Sequence, residues 1–90
     1  MRLITLDARD NVATAAEDLE AGSVAVTATG TLQVLDAIPR GHKAALCDIP
    51  SGADVIRYGE IIGAATTDIV AGQHVHVQNL ISKRLPGGGR

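Results

Sequence analysis

The residues of this chain best suited to chemistry occur in two short segments, Gly41-His42-Lys43 and Gly72-Gln73-His74-Val75-His76-Val77-Gln78. If the second segment is a strand, His74, His76 and Gln78 line one face and both valines enter the core. Imidazoles two residues apart on a strand are separated by roughly 6.6 Å, close enough to converge on one ligand or metal ion. The alternative is a half-solvated strand that merely exposes its histidines, because two imidazoles without a carboxylate or thiolate make an incomplete metal site.

His42 and Lys43 follow Pro39-Arg40-Gly41, which bends the backbone before a predicted strand. Adjacent strand residues point to opposite faces, so the two side chains can serve one pocket only at a bend or a sheet edge. A cation beside the imidazole would favour its neutral form, which suits a general base near neutral pH. The alternative is that Lys43 is a solvated surface residue.

Two further side chains are candidates for binding a substrate. Tyr58, the single aromatic residue, lies at a glycine turn, where its phenol could donate a hydrogen bond or its ring could cap a small core. Asn79 ends the second segment and could bind substrate or satisfy backbone groups in a turn. Phosphate-cradling loops, dinucleotide fingerprints, paired zinc cysteines and nucleophile elbows are absent from the sequence, which leaves proton chemistry or binding.

A repeated phrase must position these residues. An Ile or Leu is followed three residues later by Gly, and the four copies start at Leu19, Ile38, Ile49 and Ile69. In each copy we expect the aliphatic residue to enter the core and the glycine to turn the chain into a strand. The glycine spacing alternates between long and short, so the pattern indicates a compact, bent β structure and not a solenoid.

The remaining elements follow from short β-branched runs between Gly and Pro. Strands are predicted over 24–29, 32–36, 43–45, 55–57, 61–65 and 74–80. Tight turns are predicted at Thr29-Gly30 and Tyr58-Gly59-Glu60. One short helix is predicted before them, capped by Asp10 or Asn11 and ended by Gly22, because its apolar residues have helical spacing; they are Val12, Ala15, Ala16 and Leu19.

The composition bounds the class of protein. Ninety residues make one small domain with a thin core, so a partner surface is plausible, and the isolated chain could form a homo-oligomer. A net charge of −2 without basic blocks, and a single aromatic residue, argue against nucleic acid. No segment predicts a signal peptide or a membrane span, and lone Cys47 fits a reducing compartment, so we expect a cytoplasmic protein. We expect the domain to span 1–81 and the glycine-rich residues 82–90 to form a flexible tail.

Three stretches together resemble a known family. They are Ile38-Pro39-x-Gly41-His42-Lys43-x-Ala45, then Ile49-x-x-Gly52-x-x-Val55-x-x-Tyr58-Gly59-x-x-Ile62-Gly63, then Ile69-x-x-Gly72-x-x-Val75-His76-x-x-Asn79. Their order and spacing resemble the SAF domain of the altronate and galactarate dehydratases, over about 10–80. The resemblance implies a β-clip fold, in which short strands fold twice on themselves. The family generally reads Val-His-x-His-Asn at the last motif, where this chain has Gln78 in place of the second histidine. Gln78 is a poor metal ligand but can still bind a substrate hydroxyl through a hydrogen bond. Arg57 replaces a frequent lysine.

The resemblance also implies an activity. Family members are lyases that need a divalent metal, commonly iron, and most of the enzyme lies in a separate large subunit. Dehydration of a sugar acid would then assign His42 or His76 as base or acid, Lys43 as a clamp for the carboxylate, and His74 and His76 as metal ligands. The alpha subunit of sulfolactate sulfo-lyase belongs to the same family and would release sulfite instead of water. A non-catalytic sugar-acid-binding module is a third interpretation.

Overall fold

The structure is a computed structural model that describes residues 3–4, 7–28 and 30–82. This part of the chain contains short β-strands and no helix, which confirms the prediction of a mainly β, β-clip type of fold. The strands are β1 (Leu3–Ile4), β2 (Val12–Ala15), β3 (Val24–Thr27), β4 (Gly30–Gln33), β5 (Lys43–Ala45), β6 (Asp54–Arg57), β7 (Glu60–Ala65), β8 (His74–Val75) and β9 (Leu80–Ile81).

The described strands form three antiparallel sheets. One sheet has the order β1-β2-β5-β8, the second is the β3-β4 hairpin, and the third has the order β6-β7-β9. Two apolar clusters fill the space between them. No helix of the described residues is long and apolar enough to cross a membrane.

The predicted N-terminal helix is wrong, because its first residues form strand β2. This strand pairs with β1 on one edge and with β5 on the other, so its backbone groups are satisfied by neighbours distant in sequence. Both of its faces are buried, with Val12 in one apolar cluster and Ala13 in the other. Burial on two faces removes the alternation that marks a strand, and the remaining apolar spacing imitates that of a helix.

The repeated phrase is a turn, as predicted. Its glycines, Gly22, Gly41, Gly52 and Gly72, have φ values of 88°, 86°, 88° and 91°. In each turn the residue after the glycine donates its N–H to the carbonyl three residues earlier, as Ser23 does to Glu20. This is the type II turn, which needs a positive φ at its third position. The four aliphatic residues of the phrase are no more than 2% exposed, so each fills the core.

The two halves of the chain repeat one arrangement. In the first half, Leu19 and Ile38 form a two-way backbone bridge on either side of the β3-β4 hairpin. In the second half, Ile49 and Ile69 form the same bridge on either side of the β6-β7 hairpin. Strand β5 serves both halves, because it pairs with β2 of the first and with β8 of the second.

The β6-β7 hairpin confirms the predicted turn at Tyr58-Gly59. Arg57 pairs with Glu60 across a two-residue loop in which Tyr58 has φ 54° and Gly59 has φ 78°. Positive φ at both central residues is the geometry of a type I′ turn. The predicted turn at Thr29-Gly30 and the predicted tail over 82–90 lie largely outside the described residues; Gly30 itself begins β4, and Ser82 is described.

Candidate functional site

Three imidazoles come together at the end of the four-stranded sheet. His42, His74 and His76 each offer one ring nitrogen, and these three atoms lie within 4.8 Å of one another. Nδ1 of His42 is 2.9 Å from Nε2 of His74. The rings are stacked, with the centroids of His42 and His76 4.4 Å apart. We call these three residues the histidine cluster.

The register of β5 with β8 explains why the cluster forms. Ala44 is paired with His74 and Lys43 with Val75, so continuing the antiparallel register places His42 opposite His76. Residues two apart on a strand share a face, so His42 lies on the same face as Ala44 and its partner His74. All three imidazoles therefore project from one face of this pair of strands.

The predicted strand over 74–80 is wrong, because β8 ends at Val75 and a turn follows before β9. Asn79 closes that turn: its Oδ1 accepts a hydrogen bond from the backbone N–H of His76 at 3.0 Å, and its Nδ2 donates to the carbonyl of His74 at 2.9 Å. A side-chain amide thus takes the place of ladder bonds. Val77, predicted to enter the core, is 82% exposed in the turn.

The turn still holds His74 and His76 on one side. Asn79 is only 7% exposed and both ends of its amide are bonded to the backbone on either side of Val75. These bonds hold the backbone of the cluster, as the second of the two interpretations considered for Asn79 describes. Asp36 supports the other end, since its Oδ2 accepts the backbone N–H of His74 at 2.9 Å.

Gln78 folds back onto His74 instead of extending along a strand. Its Nε2 donates to the carbonyl oxygen of His74 at 3.2 Å and lies 3.4 Å from Nδ1 of the same residue. The carbonyl can only accept, so this bond fixes which end of the Gln78 amide faces His74. Gln78, which replaces a family histidine, therefore bonds directly to His74 of the cluster.

The surroundings of His74 and His76 favour their neutral imidazole forms. Burial lowers the pKa of His74 below its ordinary value, and the neighbouring His42 and His76 lower it further, against the opposing effect of Asp36. The pKa of His76 is also lowered, first by desolvation and then by His42 and Lys43. Neutral imidazole is the form that binds a metal ion.

Lys43 and Tyr58 lie beside the cluster and not within it. Lys43 is on the opposite face of β5 from Ala44, and it is partly buried, which lowers its pKa; Arg57 lowers that pKa further. The Tyr58 hydroxyl donates to Oγ1 of Thr14 at 3.1 Å, and Thr14 is the β2 residue paired with Lys43. Tyr58 is therefore linked to Lys43 through Thr14 of β2.

The donor set of the cluster fits a divalent transition-metal ion. Three neutral imidazole nitrogens suit Zn²⁺, Fe²⁺ or Cu²⁺, and three protein ligands leave coordination positions for a substrate. Two ring nitrogens 2.9 Å apart either share a proton or both face a cation. From the sequence, only His74 and His76 were predicted as metal ligands, and His42 was given a separate role. The β5–β8 register, which brings His42 to the other two histidines, could not be read from the sequence.

The geometry defines a small β domain with a candidate three-histidine metal centre at a sheet end. The model of the altronate/galactarate dehydratase SAF domain matches residues 1–83. The chain belongs to this family of SAF domains, as its sequence motifs predicted.

The relatives are lyases by name. Altronate dehydratase of Escherichia coli is 47% identical over 79 residues, which is 88% of this chain and 16% of that protein. Galactarate dehydratase (L-threo-forming) of Escherichia coli is 40% identical over 55 residues, which is 61% of this chain and 10% of that protein. The (2R)-sulfolactate sulfo-lyase subunit alpha of Chromohalobacter salexigens is 46% identical over 52 residues, 58% of this chain and 55% of that subunit. The chain thus spans a small part of the dehydratases and about half of the sulfo-lyase subunit.

Proposed function

We propose that this chain is the SAF part of a metal-dependent hydro-lyase, which removes water from an aldonic or aldaric acid and gives a 2-keto-3-deoxy acid. The observation that carries the proposal is the histidine cluster, in a chain 47% identical to part of an altronate dehydratase. Because the chain corresponds to only 16% of that relative, the rest of the active site belongs to a large subunit or to a further part of the same enzyme. The chain alone should be inactive.

In this proposal the three imidazoles hold the ion, with Fe²⁺ as the first candidate. When bound, the ion would act as a Lewis acid and stabilise the negative charge that develops when a proton leaves the carbon next to the carboxylate. Asn79 and Asp36 fix the backbone of His74 and His76, so the imidazoles need little rearrangement to face one cation.

The proposal changes the role of two residues. His42 and His76 were candidates for acid–base catalysis, but a ring nitrogen that binds a metal ion cannot also take a proton. Proton removal is therefore assigned to a group outside this chain. Lys43 keeps the role of clamping the substrate carboxylate, since its partly buried ammonium group acts on His74 and His76 through its charge, although it projects from the other face of β5.

Metal titration tests the cluster directly. We expect the purified chain to bind Co²⁺, used as a spectroscopic substitute, with visible absorption bands typical of nitrogen ligands. His42→Ala, His74→Ala and His76→Ala should each weaken binding by more than about 100-fold, because even supporting residues around a metal site contribute 10- to 100-fold. Val77→Ala is the control next to the cluster, because the Val77 side chain is 82% exposed. Unchanged Co²⁺ affinity in His42→Ala would return His42 to an acid–base role.

A domain replacement tests the activity. The matching segment of the Escherichia coli altronate dehydratase is exchanged for this chain, and formation of 2-keto-3-deoxy acid is measured. We expect activity from the chimera and its loss in the His42→Ala and His74→Ala chimeras. Full activity of those two chimeras would exclude a catalytic metal centre in this chain, and chelator-indifferent binding of sugar acids would favour a non-catalytic module.

The second candidate is the alpha subunit of a sulfolactate sulfo-lyase. It is favoured by one observation, namely that the match covers 55% of the Chromohalobacter salexigens subunit, compared with 16% of the altronate dehydratase. Both reactions begin with proton removal next to a carboxylate, so the histidine cluster serves either. Released sulfite instead of a 2-keto-3-deoxy acid, from this chain assembled with its large subunit, would select this candidate.

A further inference from the structure

Two cationic side chains enter the gap between the four-stranded and the three-stranded sheet. An apolar cluster occupies this gap, with Ala45 contributed by β5 and Val55 by β6. Side chains alternate along strands, so Lys43 lies on the face of Ala45 and Arg57 lies on the face of Val55. Both cations therefore lie at the same rim of the apolar cluster.

Two hydroxyl groups connect the cations along this rim. The Arg57 guanidinium carbon lies 5.3 Å from the centroid of the Tyr58 ring. The Tyr58 hydroxyl donates to Oγ1 of Thr14 at 3.1 Å, and Thr14 is paired with Lys43 across the β2–β5 ladder. Arg57, Tyr58, Thr14 and Lys43 thus form one continuous group, which we call the cationic rim.

The cations of the rim form no salt bridge with a described carboxylate, including Glu60, which is paired with Arg57 across the β6–β7 hairpin. The buried Nε of Arg57 also has no hydrogen-bond partner among the described residues. Burial lowers the pKa of Lys43, and the positive charge of Arg57 lowers it further, so the two cations lie close enough to repel. Partly buried charges are normally paired, because an unpaired one loses solvation without compensation.

We propose that the cationic rim is a carboxylate-binding site for a polyhydroxy acid. The guanidinium of Arg57 matches the two oxygens of a carboxylate, and the ammonium of Lys43 supplies a second positive charge. The hydroxyls of Tyr58 and Thr14 can bond a substrate hydroxyl next to that carboxylate. Lys43 projects from the face of β5 opposite to the histidine cluster, but its charge still lowers the pKa of His74 and His76. An acid held on the rim is therefore within electrostatic range of the cluster. The identity of the acid rests on the proposed function. The observation that Lys43 and Arg57 form no salt bridge does not depend on that function.

The fluorescence of Tyr58, the single tyrosine in a chain without tryptophan, measures binding directly. The complete 90-residue chain is titrated in the presence of a chelator, so that the metal centre does not contribute. The probes are galactarate, a six-carbon diacid, and galactitol, the uncharged polyol with the same carbon chain. We expect galactarate to change the emission to saturation, and galactitol at equal concentration to leave it unchanged.

Arg57→Gln should weaken galactarate binding by roughly 10- to 100-fold, the effect of losing a hydrogen bond to a charged group. The matched control is Arg40→Gln, which makes the same chemical change and the same loss of net charge at an exposed position. Lys43→Gln is the second variant if Arg57→Gln does not give a folded amide spectrum. Amide chemical-shift changes mapped by NMR should centre on Lys43, Arg57 and Tyr58.

Three results would overturn the site. These are equal weakening in Arg40→Gln and Arg57→Gln, binding of galactitol as tight as that of galactarate, and binding of sulfate as tight as that of galactarate. The last would show a general anion site without preference for a sugar acid. Because the titration contains a chelator and measures no turnover, it can fail while the dehydratase chimera is active, and it can succeed while that chimera is inactive.

Discussion

Gly72→Ala and Gly52→Ala are a matched pair that tests how the turns position the histidine cluster. Both glycines are the third residue of the same type of turn, with φ values of 91° and 88°. An alanine at either position adopts a left-handed backbone, which costs about 1–2 kcal/mol. A Cβ at Gly52 meets no atom within 4 Å, whereas a Cβ at Gly72 would overlap the carbonyl oxygen of Gln33.

The overlap at Gly72 adds a second cost. The obstacle is backbone, so the neighbouring strand must shift, and forced overpacking of this kind typically costs about 1–3 kcal/mol. We therefore expect Gly52→Ala to lower the free energy of unfolding by about 1–2 kcal/mol and Gly72→Ala to lower it by about 2–5 kcal/mol. Gly72 lies two residues before His74, so only Gly72→Ala should also displace the cluster.

Urea unfolding followed by circular dichroism measures the stability, and Co²⁺ titration measures the site. The expected result is a larger loss of stability and a loss of Co²⁺ affinity in Gly72→Ala, with wild-type Co²⁺ affinity in Gly52→Ala. Equal losses of stability in the two variants would refute the steric argument, because their backbone angles are nearly the same. Unchanged Co²⁺ affinity in Gly72→Ala would show that the turn does not control the position of His74.

Three further predictions concern the same residues and the N-terminal loop. Asn79→Ala removes two hydrogen bonds from a buried amide and should lower the free energy of unfolding by about 2–3 kcal/mol, whereas the exposed Gln78→Ala should change it by less than about 0.5 kcal/mol. The pKa values of His74 and His76 are lowered in the folded chain, so the unfolded chain binds more protons as the pH falls below 6.5. The urea midpoint of the metal-free chain should therefore be lower at pH 5.5 than at pH 7.5. This difference should be smaller in His74→Gln. Hydrogen bonds from Arg9 lower the pKa of Asp7 to about 2, and Arg9→Gln should return that pKa toward 3.8 in an NMR titration.

The turns could be predicted from the sequence because their causes are local. Glycine adopts a positive φ without a steric cost, so it marks these turns, and the aliphatic residue three positions earlier lies in the core. The Tyr58-Gly59 hairpin follows the same rule over four residues. Such features do not depend on which distant strand lies beside them.

The incorrect predictions concern features that depend on contacts with distant residues, and a single sequence does not show those contacts. Strand β2 was predicted as a helix because it is covered on both faces by distant partners. The strand over 74–80 stops early because one amide, that of Asn79, bonds the backbone on both sides of Val75. His42 joins the cluster only through the register of β5 with β8, a pairing that residue types alone do not specify.

The sharing of β5 by both halves has a consequence for the order of events during synthesis. His42 leaves the ribosome well before His74 and His76, and it has no partner imidazole until β8 pairs with β5. Until that pairing forms, the three imidazoles of the proposed metal centre are not together. Binding of a metal ion by all three histidines, as proposed, would therefore report that β8 has paired with β5.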